Sequence, residues 1–506
     1  MNQNLYSLIA ERFPPNLSSA CMVLPDGRYW SYRDVDRASG RMANLLKSLR
    51  LKPGDRVAAQ VEKTPEALVL YLATLRAGMV FLPMNPAYQR HEVEYFLGDA
   101  EPGLFVCRPQ AREMAGAAAR KARVPHVLEL DDQGRGSLIE AAAPHADEFA
   151  TVARRDADLA AILYTSGTTG RSKGAMLSHR NLASNAEVLH RYWAFRPGDV
   201  LLHMLPIFHV HGLFVAVHTA LFNGSAMFWE PKFDAQRALA LLPKATVFMG
   251  VPTYYVRLLQ EPGFDRGLCR NMRLFVSGSA PLLKETFEEF ANRTGHTILE
   301  RYGMTETGML TSNPYDGERR GGTVGFPLPG TSLRIVGDDG AKRAPGAVGH
   351  IQVQGDNVFS GYWRMLEKTR GEFTPDGWFR TGDMGSWDDD GYVCISGRSK
   401  DLVITGGLNV YPKEIEEIID ALPGVVESAV IGLPHPDFGE AVTAVVVRQK
   451  GAAGSALTEA GIIAAVKGEL ANFKVPKRVY VVDDLPRNTM GKVQKNILRE
   501  RYAKGS

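Results

Sequence analysis

A glycine- and hydroxyl-rich run, Tyr164-Thr-Ser-Gly-Thr-Thr-Gly-Arg-Ser-Lys-Gly174, stands between two apolar runs at 159–163 and 175–177. The flanking runs read as strands, so the segment between them is a loop, and Ser178 is placed to cap a helix that follows. Small residues let backbone N–H groups turn inward toward a polyanion. Hydroxyls from Thr165, Ser166, Thr168 and Thr169 add donors, and Arg171 and Lys173 add charge. That is the chemistry of cradling a nucleotide's phosphates, with Thr165, Ser166, Gly167, Thr168, Thr169, Gly170 and Lys173 as candidate contacts. Two rival readings fail on local structure. A Walker-type loop needs Ser or Thr after its lysine and a helix starting there, whereas Gly174 follows Lys173. Gly170-Arg-Ser-Lys-Gly174 has the spacing of a nucleophile elbow, but that motif needs a strand, a sharp turn and a helix, and a second strand comes next instead.

The rest of the chain sets bounds. At 506 residues it is long enough for more than one domain. A net charge of +3 over that length argues against an electrostatically driven nucleic-acid binder. Cys21, Cys107, Cys269 and Cys394 are scattered without the paired spacing of zinc or redox sites. They fit a reducing compartment, and no secretory pattern opens the chain, so a cytoplasmic location is expected. Residues 200–222 carry no Asp, Glu, Lys or Arg and are long enough to span a bilayer. Pro206 and four histidines (His203, His209, His211, His218) favour a core strand, loop and helix lining a pocket instead, and no membrane partner is expected.

Periodicity places the elements. Val35, Ala38, Met42, Leu45 and Leu46 share one face of a helix over 32–49. Residues 55–60 read as strand, 64–76 as helix and 103–107 as strand, an alternation typical of α/β sheets. It returns at 245–249 (strand), 253–260 (helix), 273–276 (strand) and 283–293 (helix). From 331 the texture changes to short strands at 332–336, 350–354 and 392–396. A last unit mixes helices at 412–421 and 460–470 with strands at 427–432, 441–448 and 478–482. The charged step Gly397-Arg-Ser-Lys-Asp401 marks the expected joint, giving domains 1–399 and 400–506.

Further motifs stand in order along the chain: Arg301-Tyr-Gly-Met-Thr-Glu306, Thr381-Gly-Asp383, Gly397-Arg398, Gly406-Gly-Leu-Asn-Val-Tyr-Pro412 and Pro486-Arg-Asn-Thr-Met-Gly-Lys492. With the loop they resemble, over essentially the whole chain, the acyl-CoA synthetases of the adenylate-forming superfamily. The resemblance implies a large α/β N-terminal domain with a small β-barrel-like region, and a small mobile α+β C-terminal domain. It implies an AMP-forming acid–thiol ligase using ATP, Mg²⁺ and coenzyme A. Carboxylate attack on the α-phosphorus of ATP puts charge on phosphate oxygens, so the protein must position and neutralise. By the resemblance, the loop holds the outer phosphates, Thr305 the α-phosphate and Glu306 the Mg²⁺. Tyr302 stacks on adenine, Asp383 and Arg398 hold the ribose, and Gly278, Ser279 and Ala280 approach the adenine edge. Lys492 bridges carboxylate and α-phosphate during adenylation only, after which the C-terminal domain rotates about a hinge at Lys400. Acetylation would remove the Lys492 charge, which makes a lysine acetyltransferase an expected partner. No feature of the sequence speaks to oligomeric state.

The acid is read from the residue before Tyr302. Many relatives have a small residue there; this chain has Arg301. A guanidinium facing an acyl pocket would cost several kcal/mol to bury alone, but a substrate with a second carboxylate would pair with it bidentately, with Ser279 as a further donor. The pattern, with Phe208-His-Val-His-Gly212, resembles malonyl-CoA synthetases, so malonate is the expected acid, with methylmalonate also accepted. The alternatives are oxalate or another short acid, and a stand-alone adenylation module loading a carrier protein. His209 and His211 at i, i+2 would share one side of a strand, but no third residue of matching spacing makes a zinc site. His209 is read as gating the acyl pocket. His211 either bonds the far carboxylate or is a hydrogen-bonded core residue, and Met309 either limits the middle carbon or is core packing; the sequence leaves both pairs open.

Overall fold

The computed structural model describes residues 2–165, 172–405, 408–435, 438–470, 472–488 and 491–503. Its elements follow the periodicities. Tyr32–Ser48 is a helix begun by a reciprocal Ser31–Asp34 capping box, with Val35, Met42, Leu45 and Leu46 buried. Pro65–Arg76 starts with Pro65 after a Thr64 cap and is buried from Ala67 through Arg76. A helix apolar all round is one enclosed by core on every side.

Two large sheets share the main hydrophobic core. The first has six strands in the order His126–Glu129, Leu104–Cys107, Arg56–Gln60, Val80–Pro83, Leu159–Thr165, Lys173–Ser178. It is parallel up to the last pair, which is an antiparallel hairpin closed by Thr165 opposite Lys173. Ser178 then caps the helix His179–Tyr192, its side chain accepting from Asn181 N. The two apolar runs are thus strands, as predicted. Residues 166–171, which include Ser166, Gly167, Thr168, Thr169 and Gly170, lie outside the described residues.

The second sheet has nine strands in the order Phe326–Pro327, Gly308–Ser312, Leu299–Met304, Leu274–Ser277, Val247–Gly250, Val200–His203, Ala226–Trp229, Ala20–Val23, Tyr29–Ser31. It runs parallel from Leu299–Met304 to Ala20–Val23 and is antiparallel at both edges. The β-barrel-like region is a four-stranded antiparallel meander, Thr331–Val336, Gly349–Gly355, Phe379–Trp387, Val393–Arg398. One 3₁₀ turn, Ser399–Asp401, leads from it to Val403–Thr405, the first strand of a separate five-stranded sheet with its own core. The molecule is therefore a large N-terminal α/β domain followed by a small α+β domain. Among the described residues, no helix is long and apolar enough to cross a membrane.

Residues 200–222 form the strand, loop and helix expected of them, with one correction. His209 and His211 do not share a strand: Val200–His203 ends before Pro206, which offers no N–H to a ladder, and His211 opens a π-helical stretch, His211–Val217, ahead of the α-helix His218–Asn223. The close approach of Gly212 helps fix this path, since a Cβ there would stand 1.9 Å from Pro206 O. His203 Nε2 meets Gly212 O at 2.9 Å, and Lys63 Nζ in turn meets His203 Nδ1 at 2.6 Å. Wide helical turns of this kind concentrate at functional sites.

Candidate active site

In a parallel sheet, ligands collect beyond the carboxyl ends of the strands, and the predicted residues gather there. Gly278, Ser279 and Ala280 follow directly on Leu274–Ser277, and Arg301, Tyr302 and Thr305 lie at or just past the end of Leu299–Met304. Ser279 holds φ 75°, a left-handed conformation that a non-glycine residue adopts under strain. Its hydroxyl lies 3.2 Å from His211 Nδ1.

Arg301 is buried, at 3% exposure, and two of its three guanidinium nitrogens have no hydrogen-bond partner among the described residues. Nε and Nη2 are sealed from solvent and unpartnered, as is Nε2 of His211. Burial lowers the Arg301 pKa to about 9, which leaves it cationic at neutral pH. The same burial, with the Arg301 cation next in weight, holds His211 far below the usual imidazole range. His209 Nδ1 accepts from His211 N at 3.2 Å, which leaves the His209 ring proton on Nε2. Burial, then Lys492 and Arg301, push its pKa down to about 3. Two guanidinium donors of Arg301 thus lie sealed and unpartnered close to the neutral His211 ring, and buried donors in that state need an anionic occupant. Met309 is also buried, its backbone N and O both paired to the Asn185 amide, and it belongs to the main core.

Around this spot the nucleotide candidates are linked. Tyr302 Oη donates to Asp383 Oδ2 at 2.5 Å, and Arg398 Nε lies 2.6 Å from Asp383 Oδ1. Both Asp383 oxygens therefore have one partner already, and any ribose contact uses their remaining lone pairs. Glu306 is 5% exposed, and Tyr362 Oη donates to its Oε1 at 2.9 Å. Lys173 Nζ stands 4.3 Å over the Tyr362 ring and 3.6 Å from Glu372 Oε1. Thr165 Oγ1 meets Lys173 O at 3.4 Å, at the mouth of the loop. Thr305 is half-buried beside them.

Lys492 comes from the far end of the chain into the same field. Crowding by protein atoms, then the Arg398 and Arg301 cations, lower its pKa to about 8, while Asp383 and Glu306 pull the other way. Lys492 is nonetheless exposed to solvent as a residue. Lys400 lies exposed in the 3₁₀ turn between the domains, close enough to Arg398 and Asp383 for their charges to act on it. Tyr362, Asp99 (which accepts from Tyr164 Oη at 2.6 Å) and Glu372 carry no sequence signal of a site role. They are ordinary residues until the fold brings them to the motif residues. Among the described residues, no three of His, Cys, Asp or Glu gather as a metal cluster.

The structure superposes with a TM-score of 0.97 on ATP-bound MatB from Rhodopseudomonas palustris, 57% identical over 99% of both chains, and with 0.86 on the apo form of that protein. In sequence it is 35% identical to the mitochondrial malonate–CoA ligase of Mus musculus, over 94% of this chain and 87% of that one. It is 34% identical to the sulfoacetate–CoA ligase of Cupriavidus necator, over 97% and 96%. Residues 10–363 match the AMP-binding enzyme family and 414–492 its C-terminal domain, so this chain belongs to the AMP-binding enzymes.

Proposed function

We propose that the chain is a malonate–CoA ligase, converting malonate, ATP and CoA to malonyl-CoA, AMP and pyrophosphate through a malonyl-adenylate. One observation carries the choice of acid: the buried Arg301 guanidinium, with Nε and Nη2 unpartnered, close to His211, whose ring meets the Ser279 hydroxyl. A monocarboxylate would leave that cation unpaired in the pocket. A short diacid pairs its far carboxylate with Arg301 in a charge-assisted contact and leaves the near one for chemistry. The mouse relative is itself named a malonate–CoA ligase.

In this reading the near carboxylate of malonate attacks the α-phosphorus while Lys492 and Thr305 hold the developing charge, and His209 borders the acyl pocket. Tyr302 stacks on adenine beside Gly278, Ser279 and Ala280, and Asp383 with Arg398 holds the ribose. Thr165, the loop at 166–170 and Lys173 cradle the outer phosphates. Glu306 fits Mg²⁺: a hard carboxylate, oriented by Tyr362 through one oxygen, completed by phosphate oxygens in the manner this ion prefers. The ion would neutralise phosphate charge. Met309 limits substituents at the middle carbon, and methylmalonate is the secondary substrate. We set the domain boundary at 399/400, with Lys400 as hinge. We place the enzyme in the cytoplasm, where four free and scattered cysteines are at home; cell fractionation tests this. A lysine acetyltransferase acting on Lys492 would abolish adenylation by removing its charge, and full activity after stoichiometric acetylation overturns that idea.

The test is an acid panel: acetate, oxalate, malonate, methylmalonate, succinate, sulfoacetate and octanoate, each with free CoA and with a carrier protein, for wild type and Arg301→Met. Wild type should prefer malonate with free CoA. Arg301→Met should lose malonate kcat/KM by about 30- to 1000-fold, the worth of a charge-assisted pair of roughly 2–4 kcal/mol. Equal turnover of acetate and malonate by wild type ends the assignment. Sulfoacetate is the second reading to watch, because a sulfonate offers Arg301 the same anionic face and a relative carries that activity in its name.

A further inference from the structure

The backbone that carries Lys492 is tied down from several sides. Asn488 N donates to Lys492 O at 2.9 Å, Lys492 N donates to Asn488 Oδ1 at 2.9 Å, and Gln494 N donates to Pro486 O at 2.7 Å. Arg487 and Val493 pair across the turn as an antiparallel bridge. The side chain of Arg487 then folds back over the turn. Its Nη1 donates at 2.7 Å to Gly491 O, the carbonyl of the peptide bond that joins Gly491 to Lys492. Its Nη2 donates to Glu427 Oε1.

Glu427 stands near the start of Val425–His435, a strand paired along its length with Gly439–Arg448 in the small domain's sheet. The guanidinium thus connects a carbonyl one residue from Lys492 Cα to the end of that strand pair, at the residue where its register shifts. On the other side, Gly491 has φ 75°, and a Cβ there would stand 3.2 Å from Thr253 Oγ1, at the start of the large domain's helix Pro252–Leu259.

A lysine side chain supplies reach through four flexible carbons but no aim of its own. Aim has to come from a fixed Cα, and a displacement of about 1 Å at a catalytic group can cost 100-fold in rate. We propose that Arg487 and Glu427 are positioning residues for Lys492, the ion pair holding the Gly491 carbonyl and thereby the direction in which the lysine enters the site. This rests on the reading of Lys492 as the adenylation lysine.

The assignment makes a demand that a purely structural ion pair does not. Lys492 serves only the first half-reaction, so the two residues matter there and not in thioester formation. The experiment measures malonate-dependent ATP–pyrophosphate exchange, and separately the CoA-dependent consumption of chemically prepared malonyl-adenylate. It uses full-length wild type, Glu427→Gln, Arg487→Gln, the double variant, Arg487→Lys and Lys492→Ala.

Expected is a fall of about 10- to 100-fold in exchange for each single glutamine variant, with the adenylate step changed by less than about twofold. The double variant should be no worse than the poorer single one, because both act through one carbonyl. Arg487→Lys, which keeps the charge and a donor, should recover part of the rate. Equal losses in both half-reactions, additive losses in the double variant, or an undiminished exchange rate overturns the proposal. Lys492→Ala separates the two levels. Exchange that survives it removes the reading of Lys492 itself, and exchange lost in Lys492→Ala but intact in the Glu427 and Arg487 variants removes the positioning role alone.

Discussion

A methyl group on Gly278 would stand 2.5 Å from Cζ and Nη1 of Arg301, closer than any packed pair allows. The substrate-facing guanidinium therefore lies directly against a glycine that sequence reasoning assigned to the adenine edge. Gly278→Ala should push Arg301 out of its pocket and lower malonate kcat/KM by about 10- to 1000-fold, with a smaller effect on acetate. The ratio of the two acids, measured side by side, checks it. Lys492 predicts a pH dependence. With its pKa lowered to about 8, the ammonium is present below that value and lost above it, so kcat/KM for adenylation should fall as pH rises through about 8. His209, held at about 3, is neutral throughout that range and adds no limb near the ordinary imidazole value. ATP–pyrophosphate exchange across pH at constant ionic strength reads both. The residue types of this chemistry were legible in the sequence. The contact between Gly278 and Arg301 was not, because residues 23 positions apart on neighbouring strands meet only once the strand order is set.

At the scale of elements, the strand Leu299–Met304 does two jobs on its two faces. Arg301 turns to the pocket, while the next residue back, Glu300, is buried with Oε1 accepting from Leu282 N at 3.2 Å and Oε2 unpartnered. Burial raises the Glu300 pKa to about 8, against smaller opposing effects of the Leu282 N–H, Lys413 and Arg301. An acid whose folded pKa is raised contributes stability fully present below its unfolded value and lost as pH rises through the folded one. Glu300→Gln removes that penalty, so the variant should match wild type near pH 5 and exceed it near pH 9, by an amount on the order of a few kcal/mol. Denaturant melts at both pH values decide it. Most helices and strands were readable from period and caps, as with Ser178, since those signals sit within a few residues. The π-helical stretch His211–Val217 was not, because its cause is tertiary: a glycine against Pro206 O and a histidine from the preceding strand at its carbonyl.

For the whole molecule, the two domains are joined through the turn Ser399–Asp401, and Asp401 is paired at 2.7 Å with Arg499 of the final helix, Lys495–Ala503. Lys400 is thus the exposed middle of a short, tethered joint. If Lys400 is the hinge we propose, Lys400→Pro would restrict φ where the rotation takes place. Adenylation should persist within about tenfold while thioester formation falls by about 100-fold or more, and paired half-reaction assays read the split. The chain's order of α/β units, the two strands at 159–165 and 173–178 and the chemical types in its motifs were determined by the sequence alone, because each depends on residues close together along the backbone. Which side chains meet was decided only by the tertiary structure. Tyr362 reaches Glu306 across 56 positions and Tyr302 reaches Asp383 across 81. The burial that leaves two Arg301 nitrogens without a partner and crowds Lys492 likewise comes from elements packed on one another. Burial and unmet donors are properties of an enclosed space, and a chain acquires that space only when its sheets close around it.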